Sequence, residues 1–164
     1  MSVTARPAVR ADVDAIHERL LRFGRHIGHP DWVSATSAQL GDALFGPAPK
    51  GFAHVAEHEG KIVGVALWFL SFNFWMAQPI LYLEDLFVDA EARGLGAGEA
   101  LMRALAGEAQ ARDCAWMDWI VLTENEGGQR FYDRLGAKLQ PEWRLWRLEG
   151  ESLAALPIDF VPGN

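Results

Sequence analysis

A glycine-rich loop between an apolar strand and a helix constrains this chain more than any other feature. The loop reads Arg93-Gly94-Leu95-Gly96-Ala97-Gly98 and follows the strand end Leu86-Phe87-Val88. Glycine lets backbone N–H groups approach an anion without obstruction by a Cβ atom. The helix that follows adds unpaired N–H groups and the positive end of its dipole. The sequence therefore predicts a cradle for a diphosphate, with Arg93 as a positive charge beside it.

The spacing of the loop separates the phosphate-binding classes that it could represent. A P-loop nucleotidase needs Gly-Lys-Ser or Gly-Lys-Thr at its end, whereas this chain has Gly98-Glu99-Ala100. A dinucleotide-binding fold needs G-x-G-x-x-G after the first strand of a parallel sheet. Here the spacing is G-x-G-x-G in mid-chain. Two alternatives remain: a third class of phosphate-binding loop, with the pattern R/Q-x-x-G-x-G/A, and a glycine-rich turn that binds no ligand. Three glycines within five residues favour the ligand-binding alternative.

Hydrophobic periodicity predicts a mixed order of elements. Strands are predicted at residues 3–9, 52–57, 61–72, 80–88, 116–122 and 143–148, and helices at 11–25, 37–44, 98–112 and 127–135. The apolar strand 116–122 is expected to be buried on both faces. A tight hairpin gives antiparallel pairs, whereas strand, loop, helix and strand form a crossover that requires a parallel pair. We therefore predict an α/β fold in one domain, residues 1–164, with a mixed, mostly antiparallel sheet flanked by helices.

Charge and composition exclude several classes of protein. The net charge of −7, without a dense basic stripe, argues against nucleic-acid binding. The longest apolar stretch, 62–74, is too short and too interrupted for a bilayer, so we expect no membrane partner. The N-terminus lacks the pattern of a secretory signal, and the single Cys114 fits a reducing cytoplasm. The five histidines have no metal-binding spacing, so no metal is expected.

Several motifs together resemble the GCN5-related N-acetyltransferase (GNAT) superfamily. The loop matches the pattern R/Q-x-x-G-x-G/A at each defined position, and Asn125, Phe131-Tyr132 and Gly136 match the N…FY…G signature. The resemblance covers most of the chain. It implies acetyl-CoA as cosubstrate, a sheet splayed at the acetyl-CoA cleft, and direct acetyl transfer to an amine.

A narrower similarity is to the diamine (spermidine/spermine) N-acetyltransferases and their thialysine-acetylating relatives. It rests on residues 81–88, Leu-Tyr-Leu-Glu-Asp-Leu-Phe-Val, on Arg93-Gly94, and on Asn125-Glu126. Residues 143–145, Trp-Arg-Leu, are similar to the C-terminal strand of these enzymes. The resemblance implies a small-molecule primary amine as acceptor. By analogy it also implies a homodimer, with contacts at the predicted strand 143–148.

The acceptor is not fixed by these motifs. Arg22, Arg25 and His26 stand where a polyamine enzyme is expected to carry acidic residues. A diamine or polyamine, a thialysine-like amino acid, a protein N-terminus or lysine, and an antibiotic amine therefore remain as alternatives. A catalytically silent acetyl-CoA-binding module and a generic nucleotide-binding domain are the alternatives outside this reaction. Which of Arg25, His26 and Trp32 line the acceptor pocket also stays open, as does the role of the tail after Glu149.

Acetyl transfer needs a base for the amine proton and an acid for the leaving thiolate. A lysine-like amine has a pKa near ~10.4 and is mostly protonated at neutral pH. By resemblance Glu84 is the base, acting through water, and Asp85 is a contact to the amine. Neighbouring strand residues face opposite ways, and the resemblance predicts a β-bulge at this pair. Asp118 is a further candidate substrate contact, and the Tyr132 phenol is the candidate acid.

The predicted cofactor contacts fall in three segments. Backbone N–H groups of Leu86, Phe87 and Val88 are candidates to hold the pantetheine amide and to polarise the acetyl carbonyl. The diphosphate is assigned to the loop and the start of its helix, that is, to Arg93, Gly94, Leu95, Gly96, Ala97, Gly98 and Glu99. Asn125, Gly128 and Tyr132 fall on one helical stripe, and Gly128 is predicted to leave room for the ligand.

Overall fold

The computed structural model describes residues 2–156. The chain divides into two compact units, Met1–Ile120 and Val121–Asn164. The first contains the whole sheet and the glycine-rich loop, and the second contains the Asn125 and Tyr132 motif.

A five-stranded sheet forms the centre of the first unit, with its strands in sequence order. The strands are β1 (Thr4–Pro7), β2 (Phe52–His58), β3 (Lys61–Asn73), β4 (Gln78–Val88) and β5 (Met117–Asp118). The first four strands pair antiparallel, and β5 pairs parallel with β4. The predicted mixed, mostly antiparallel α/β fold is confirmed.

Three helices accompany the sheet: α1 (Val13–His26), α2 (Ser37–Phe45) and α3 (Ala97–Ala111). A capping box starts α2, because Thr36 Oγ1 accepts from Gln39 N at 3.2 Å and Gln39 Oε1 accepts from Thr36 N at 2.9 Å. No helix within residues 2–156 has the length and apolar character needed to cross a membrane.

The core of this unit lies on both faces of the sheet. On one face Ile16 of α1 packs against Val65 of β3 and Phe87 of β4. On the other face Leu101 of α3 approaches Gly64, where a Cβ atom would lie 3.3 Å from Leu101 Cδ1. Adjacent strand residues point to opposite faces, so α1 and α3 cover opposite sides of the sheet.

A buried ion pair fixes the chain where β4 ends. Arg19 of α1 donates from Nη2 to Asp89 Oδ2 at 2.9 Å, and both side chains are nearly buried. Arg22, one turn further along α1, lies 3.3 Å from the other Asp89 oxygen. The start of the glycine-rich loop is therefore held against the C-terminal half of α1.

The second unit contains the helices α4 (Glu126–Arg134) and α5 (Gly150–Ala154). Leu135 is the C-cap of α4, and Gly136 follows with φ of +86°, a backbone conformation that glycine adopts readily.

Two predicted strands differ from the structure. Only Met117–Asp118 of the predicted strand 116–122 forms a ladder, and its burial alternates, so the prediction of burial on both faces is wrong. The predicted strand 143–148 is also wrong, because these residues form no strand among those that the structure describes. Its large apolar side chains are exposed, with Trp143 at 74% and Trp146 at 88%. Apolar alternation makes a strand only where the backbone finds a hydrogen-bonding partner.

Candidate active site

A β-bulge interrupts β4 at the predicted base. Leu83 lies opposite Trp68 and Asp85 lies opposite Leu67, so Glu84 is an extra residue without a counterpart in β3. The bulge expected at the Glu84-Asp85 pair is confirmed. It leaves the Glu84 side chain exposed and the Asp85 side chain half-buried.

The outer edge of β4 is open beyond this bulge. Within the described part of the first unit, β5 pairs with β4 only at Leu81 and Tyr82. Asp89 N donates to Val63 O at 2.9 Å, which sets the direction of the preceding amides. Because N–H groups alternate in direction along an antiparallel ladder, Phe87 N–H faces β3 and the N–H groups of Leu86 and Val88 face the open edge.

Three carboxylates gather near the bulge. Burial, followed by the nearby charge of Glu84, raises the pKa of Asp85 to about 6. Burial also raises the pKa of the Tyr82 phenol, and the charges of Glu84 and Asp118 add to this effect. Asp118 Oδ2 accepts from Trp116 Nε1 at 2.7 Å, which fixes its position on β5. This end of the site attracts cations, including a protonated amine.

The loop after β4 has the geometry of an anion cradle. Gly94 and Gly96 have φ of +81° and +86°, which costs other L-residues about 1–2 kcal/mol. Gly96 is the N-cap of α3, and no side chain caps this helix. Its carbonyl accepts the first intrahelical bond, from Ala100 N at 2.9 Å. The N–H groups of the first turn, at residues 97–99, therefore have no partner within the helix.

Two further loop side chains are exposed. Leu95 packs against no core, and Glu99 pairs with Arg103 at 2.6 Å on the surface of α3. The Leu95 N–H donates to Ala92 O at 3.3 Å, so of these two predicted positions only Glu99 offers a backbone N–H without a partner in the helix.

An open cavity of about 310 Å³ lies where the end of α1 meets the loop. We call it the cationic cleft; it is lined by the arginines Arg22, Arg25 and Arg93, by the carboxylates of Asp89 and Glu91, and by His26, Phe87 and Ala90. Arg93 Nη2 lies 3.2 Å from His26 Nε2, and since a guanidinium only donates, the imidazole accepts at that nitrogen. Trp32 does not line the cleft and instead stacks on His29, with ring centroids 3.8 Å apart.

In the second unit, Asn125 acts as the N-cap of α4. Its Oδ1 accepts from Gly128 N at 2.9 Å. A Cβ atom at position 128 would lie 2.7 Å from Asn125 Nδ2. The space that the sequence analysis left for a ligand at Gly128 is filled by the Asn125 amide, and glycine is needed there for this close approach.

Tyr132 lies on α4 with its ring half-buried. It makes an edge-to-face contact with Phe131, with ring centroids 5.1 Å apart. Burial raises the pKa of its phenol to about 12. The phenol therefore stays protonated at neutral pH and can donate a proton or a hydrogen bond.

Comparison with protein families identifies this combination of loop, bulge and helix. The model of the acetyltransferase (GNAT) family matches residues 14–137. The chain belongs to the GNAT family.

The names of the curated relatives of this GNAT chain describe acetyl transfer to small amines. L-ornithine N5-acetyltransferase NATA1 of Arabidopsis thaliana is 34% identical over 95 residues, 58% of this chain and 42% of the relative. Thialysine N-epsilon-acetyltransferase of Bos taurus is 34% identical over 98 residues, 58% of this chain and 57% of the relative. The thialysine enzyme of Sus scrofa is 29% identical over 94% of this chain and 97% of its own. The matched segment thus spans about half of the first two relatives.

Solved structures match over nearly the whole chain. An integron cassette protein from the mobile metagenome of V. cholerae has a TM-score of 0.80 and 28% identity, covering 95% of this chain and 98% of its own. An aminoglycoside acetyltransferase from a soil metagenomic sample has a TM-score of 0.75 at 20% identity, covering 92% of this chain and 99% of its own. At this identity the match shows a similarity of fold.

Sequence reasoning missed two features of this GNAT site. The first is the Arg19–Asp89 ion pair, which positions the loop but joins residues 70 apart in the chain. The second is Tyr82, which lies among the three carboxylates. The i, i+3 spacing of Arg19 and Arg22 on an amphipathic helix is a signal for a charged stripe, but it does not identify the partner.

Proposed function

We propose that this chain transfers the acetyl group of acetyl-CoA directly to a primary amine of a small molecule. The observation that carries the proposal is the open edge of β4, with the Glu84 bulge at one end and the uncapped start of α3 at the other. The edge offers amide donors for an extended ligand, and the loop offers them for a phosphate group. Membership of the GNAT family supports the same reaction.

Acetyl-CoA fits the groups that this site presents. We assign its diphosphate to the backbone amides of Gly94, Gly96 and the first turn of α3 at residues 97–99, with Arg93 as the adjacent charge. The Leu95 N–H is excluded because it donates to Ala92 O at 3.3 Å. The N–H groups of Leu86 and Val88 would bind the pantetheine arm and the acetyl carbonyl, whereas Phe87 would serve as a packing residue. On α4 we assign Asn125 to a cofactor contact, whereas Gly128 permits the close approach of the Asn125 amide that caps the helix. When bound, acetyl-CoA supplies an acyl thioester, which is the activated form of the acetyl group.

Two groups of the chain would move protons. The acidic pair of Glu84 and Asp85 would take a proton from the ammonium form of the acceptor, with Glu84 reaching it through water. A raised pKa supports a role for Asp85 as well, because a base works best when its pKa is near the operating pH. The Tyr132 phenol would donate its proton to the leaving sulfur. Asp118 would contact the acceptor from β5.

Small amines are the acceptor class that we favour, either a diamine or polyamine or a thialysine-like amino acid. The names of the curated relatives and the three carboxylates near the bulge support this class. Acetylation of a protein N-terminus or lysine, or of an antibiotic amine, is the alternative within the same chemistry. A silent acetyl-CoA-binding module is the alternative without chemistry.

We also propose a homodimer in the cytoplasm. Exposed apolar side chains in the segment 143–148, including Trp143 and Trp146, support a self-association surface. The half-buried free thiol of Cys114 is compatible with a reducing compartment. Light scattering after gel filtration tests the dimer, and the double variant Trp143→Ser/Trp146→Ser should then elute as a monomer.

Steady-state kinetics of two variants test the chemical assignments. Tyr132→Phe removes the hydroxyl group that carries the acidic proton and should lower kcat by about 10²- to 10⁴-fold with little change in the KM for acetyl-CoA. Glu84→Gln should lower kcat in the same way, and Lys61→Gln at the exposed β2–β3 turn serves as the control for loss of one charge. Unchanged kcat in both Tyr132→Phe and Glu84→Gln would contradict the assignments.

A further inference from the structure

The cationic cleft carries charge that the protein does not neutralise. Arg22 is satisfied by Glu18 at 2.6 Å and by Asp89 at 3.3 Å. Arg25 and Arg93 have no carboxylate within 4 Å in the part of the chain that the structure describes. Two unpaired guanidinium groups thus face one cavity of a chain whose net charge is −7.

The acidic end of the site lies on the same face of β4 as this cleft. Beyond the bulge, Asp85 and Phe87 are two residues apart, so their side chains point to the same face at a spacing of about 7 Å. Phe87 forms part of the cleft, and its ring centroid lies 6.3 Å from that of His26. The face of β4 that carries Asp85 therefore also borders the cleft, where three arginines stand against the carboxylates of Asp89 and Glu91.

We propose that the cationic cleft binds a carboxylate of the acceptor, with Arg25 as a specificity-determining residue. The acceptor is then a zwitterionic amino acid with a side-chain amine, and a polycation is disfavoured. This inference rests on the proposed amine acetylation. A guanidinium binds a carboxylate through two parallel hydrogen bonds, whereas it repels an ammonium group.

The same cleft chemistry suits a phosphate group of the cofactor, because Arg93 belongs to the glycine-rich loop. The role of Arg25 distinguishes the two possible anions, the carboxylate of the acceptor and a phosphate of the cofactor. Arg25 lies on α1, outside the loop, and α1 covers the face of β4 to which the Asp85 side chain points. A carboxylate ligand makes the affinity for the acceptor depend on Arg25, whereas a cofactor phosphate makes the affinity for acetyl-CoA depend on it.

The test compares two acceptors that differ only by a carboxylate, L-ornithine and 1,4-diaminobutane. Calorimetry with CoA present measures the binding of each, and thiol release from acetyl-CoA measures turnover. The wild type should bind and acetylate L-ornithine better than the diamine. Arg25→Gln should raise the Kd and KM for L-ornithine about tenfold, the lower end for one charge-assisted contact, and should lower those for the diamine, because it removes the charge that repels the second ammonium group. Lys61→Gln is the matched control and should alter neither.

The outcomes separate this inference from the proposed function. If the protein acetylates amines but the Kd for L-ornithine is the same in the wild type and in Arg25→Gln, the inference is overturned and the proposed function stands. Binding of L-ornithine that depends on Arg25, without any acetyl transfer, would support the cleft and overturn the function. A weaker affinity of Arg25→Gln for acetyl-CoA, with its affinity for L-ornithine unchanged, would assign the cleft to the cofactor and overturn the inference.

Discussion

Replacing Asp85 by Asn should stabilise the folded protein at neutral pH. Burial raises the pKa of this carboxyl from its ordinary value of 3.8 to about 6. A raised carboxyl pKa means that the folded state gains stability while the group is protonated, and loses it as the pH rises through 6. A shift of about 2 units corresponds to a loss of about 3 kcal/mol once the group is fully ionised. Asparagine has nearly the same shape and carries no charge, so it removes this loss.

Urea unfolding followed by tryptophan fluorescence measures the effect, since the chain has seven tryptophans. The advantage of Asp85→Asn over the wild type should be about 1 kcal/mol larger at pH 7.5 than at pH 5. Glu84→Gln is the informative comparison, because removing that neighbouring charge lowers the pKa of Asp85 and should recover only part of the gain. A difference in unfolding free energy between Asp85→Asn and the wild type that is independent of pH would refute the reasoning.

Three further predictions concern the loop and the proton transfer. Gly96→Ala introduces about 1–2 kcal/mol of strain at positive φ and should weaken acetyl-CoA binding in calorimetry. The control is Gly107→Ala in the exposed middle of α3, which should stabilise the fold by up to about 1 kcal/mol without changing the affinity for acetyl-CoA. The slope of log kcat/KM against pH should decrease by one near pH 6, where Asp85 becomes the ionised base, and Asp85→Asn should lose this break. Asp89→Asn leaves the nearly buried Arg19 with only the longer contact to Glu18, at 3.6 Å, and should destabilise the protein by about 3 kcal/mol in urea unfolding; a loss below about 1 kcal/mol would mean that the pair does not anchor the loop.

Local signals predicted most of the first unit. The glycines at 94 and 96 mark a conformation that other residues rarely adopt, so the loop could be located from sequence. The hairpin of β2 and β3 follows from alternation around a tight turn, and the fold class follows from the order of elements. The bulge at Glu84 came from family resemblance, because a single extra residue leaves no periodic signal in one strand.

Features that depend on tertiary partners were not predicted. The segment 143–148 alternates apolar and charged residues as a strand does, but a ladder needs a partner that the sequence does not name. The cationic cleft brings residues of α1 to the loop after β4, and its two sides are nearly 70 residues apart. The filling of the space at Gly128 by Asn125 depends on the rotamer of a capping side chain. Spacing along a helix fixes which residues share a stripe, but not which of them contact each other.

The account depends most on acetyl transfer at the open edge of β4. The most direct measurement combines thiol release from acetyl-CoA with mass spectrometry of the amine products, using wild-type protein and a panel of L-ornithine, lysine, thialysine, polyamines, aminoglycosides and short peptides. We predict that thiol release matches, mole for mole, the appearance of one N-acetylated small amine. Tight acetyl-CoA binding without an acetylated product from any amine in the panel would contradict the account.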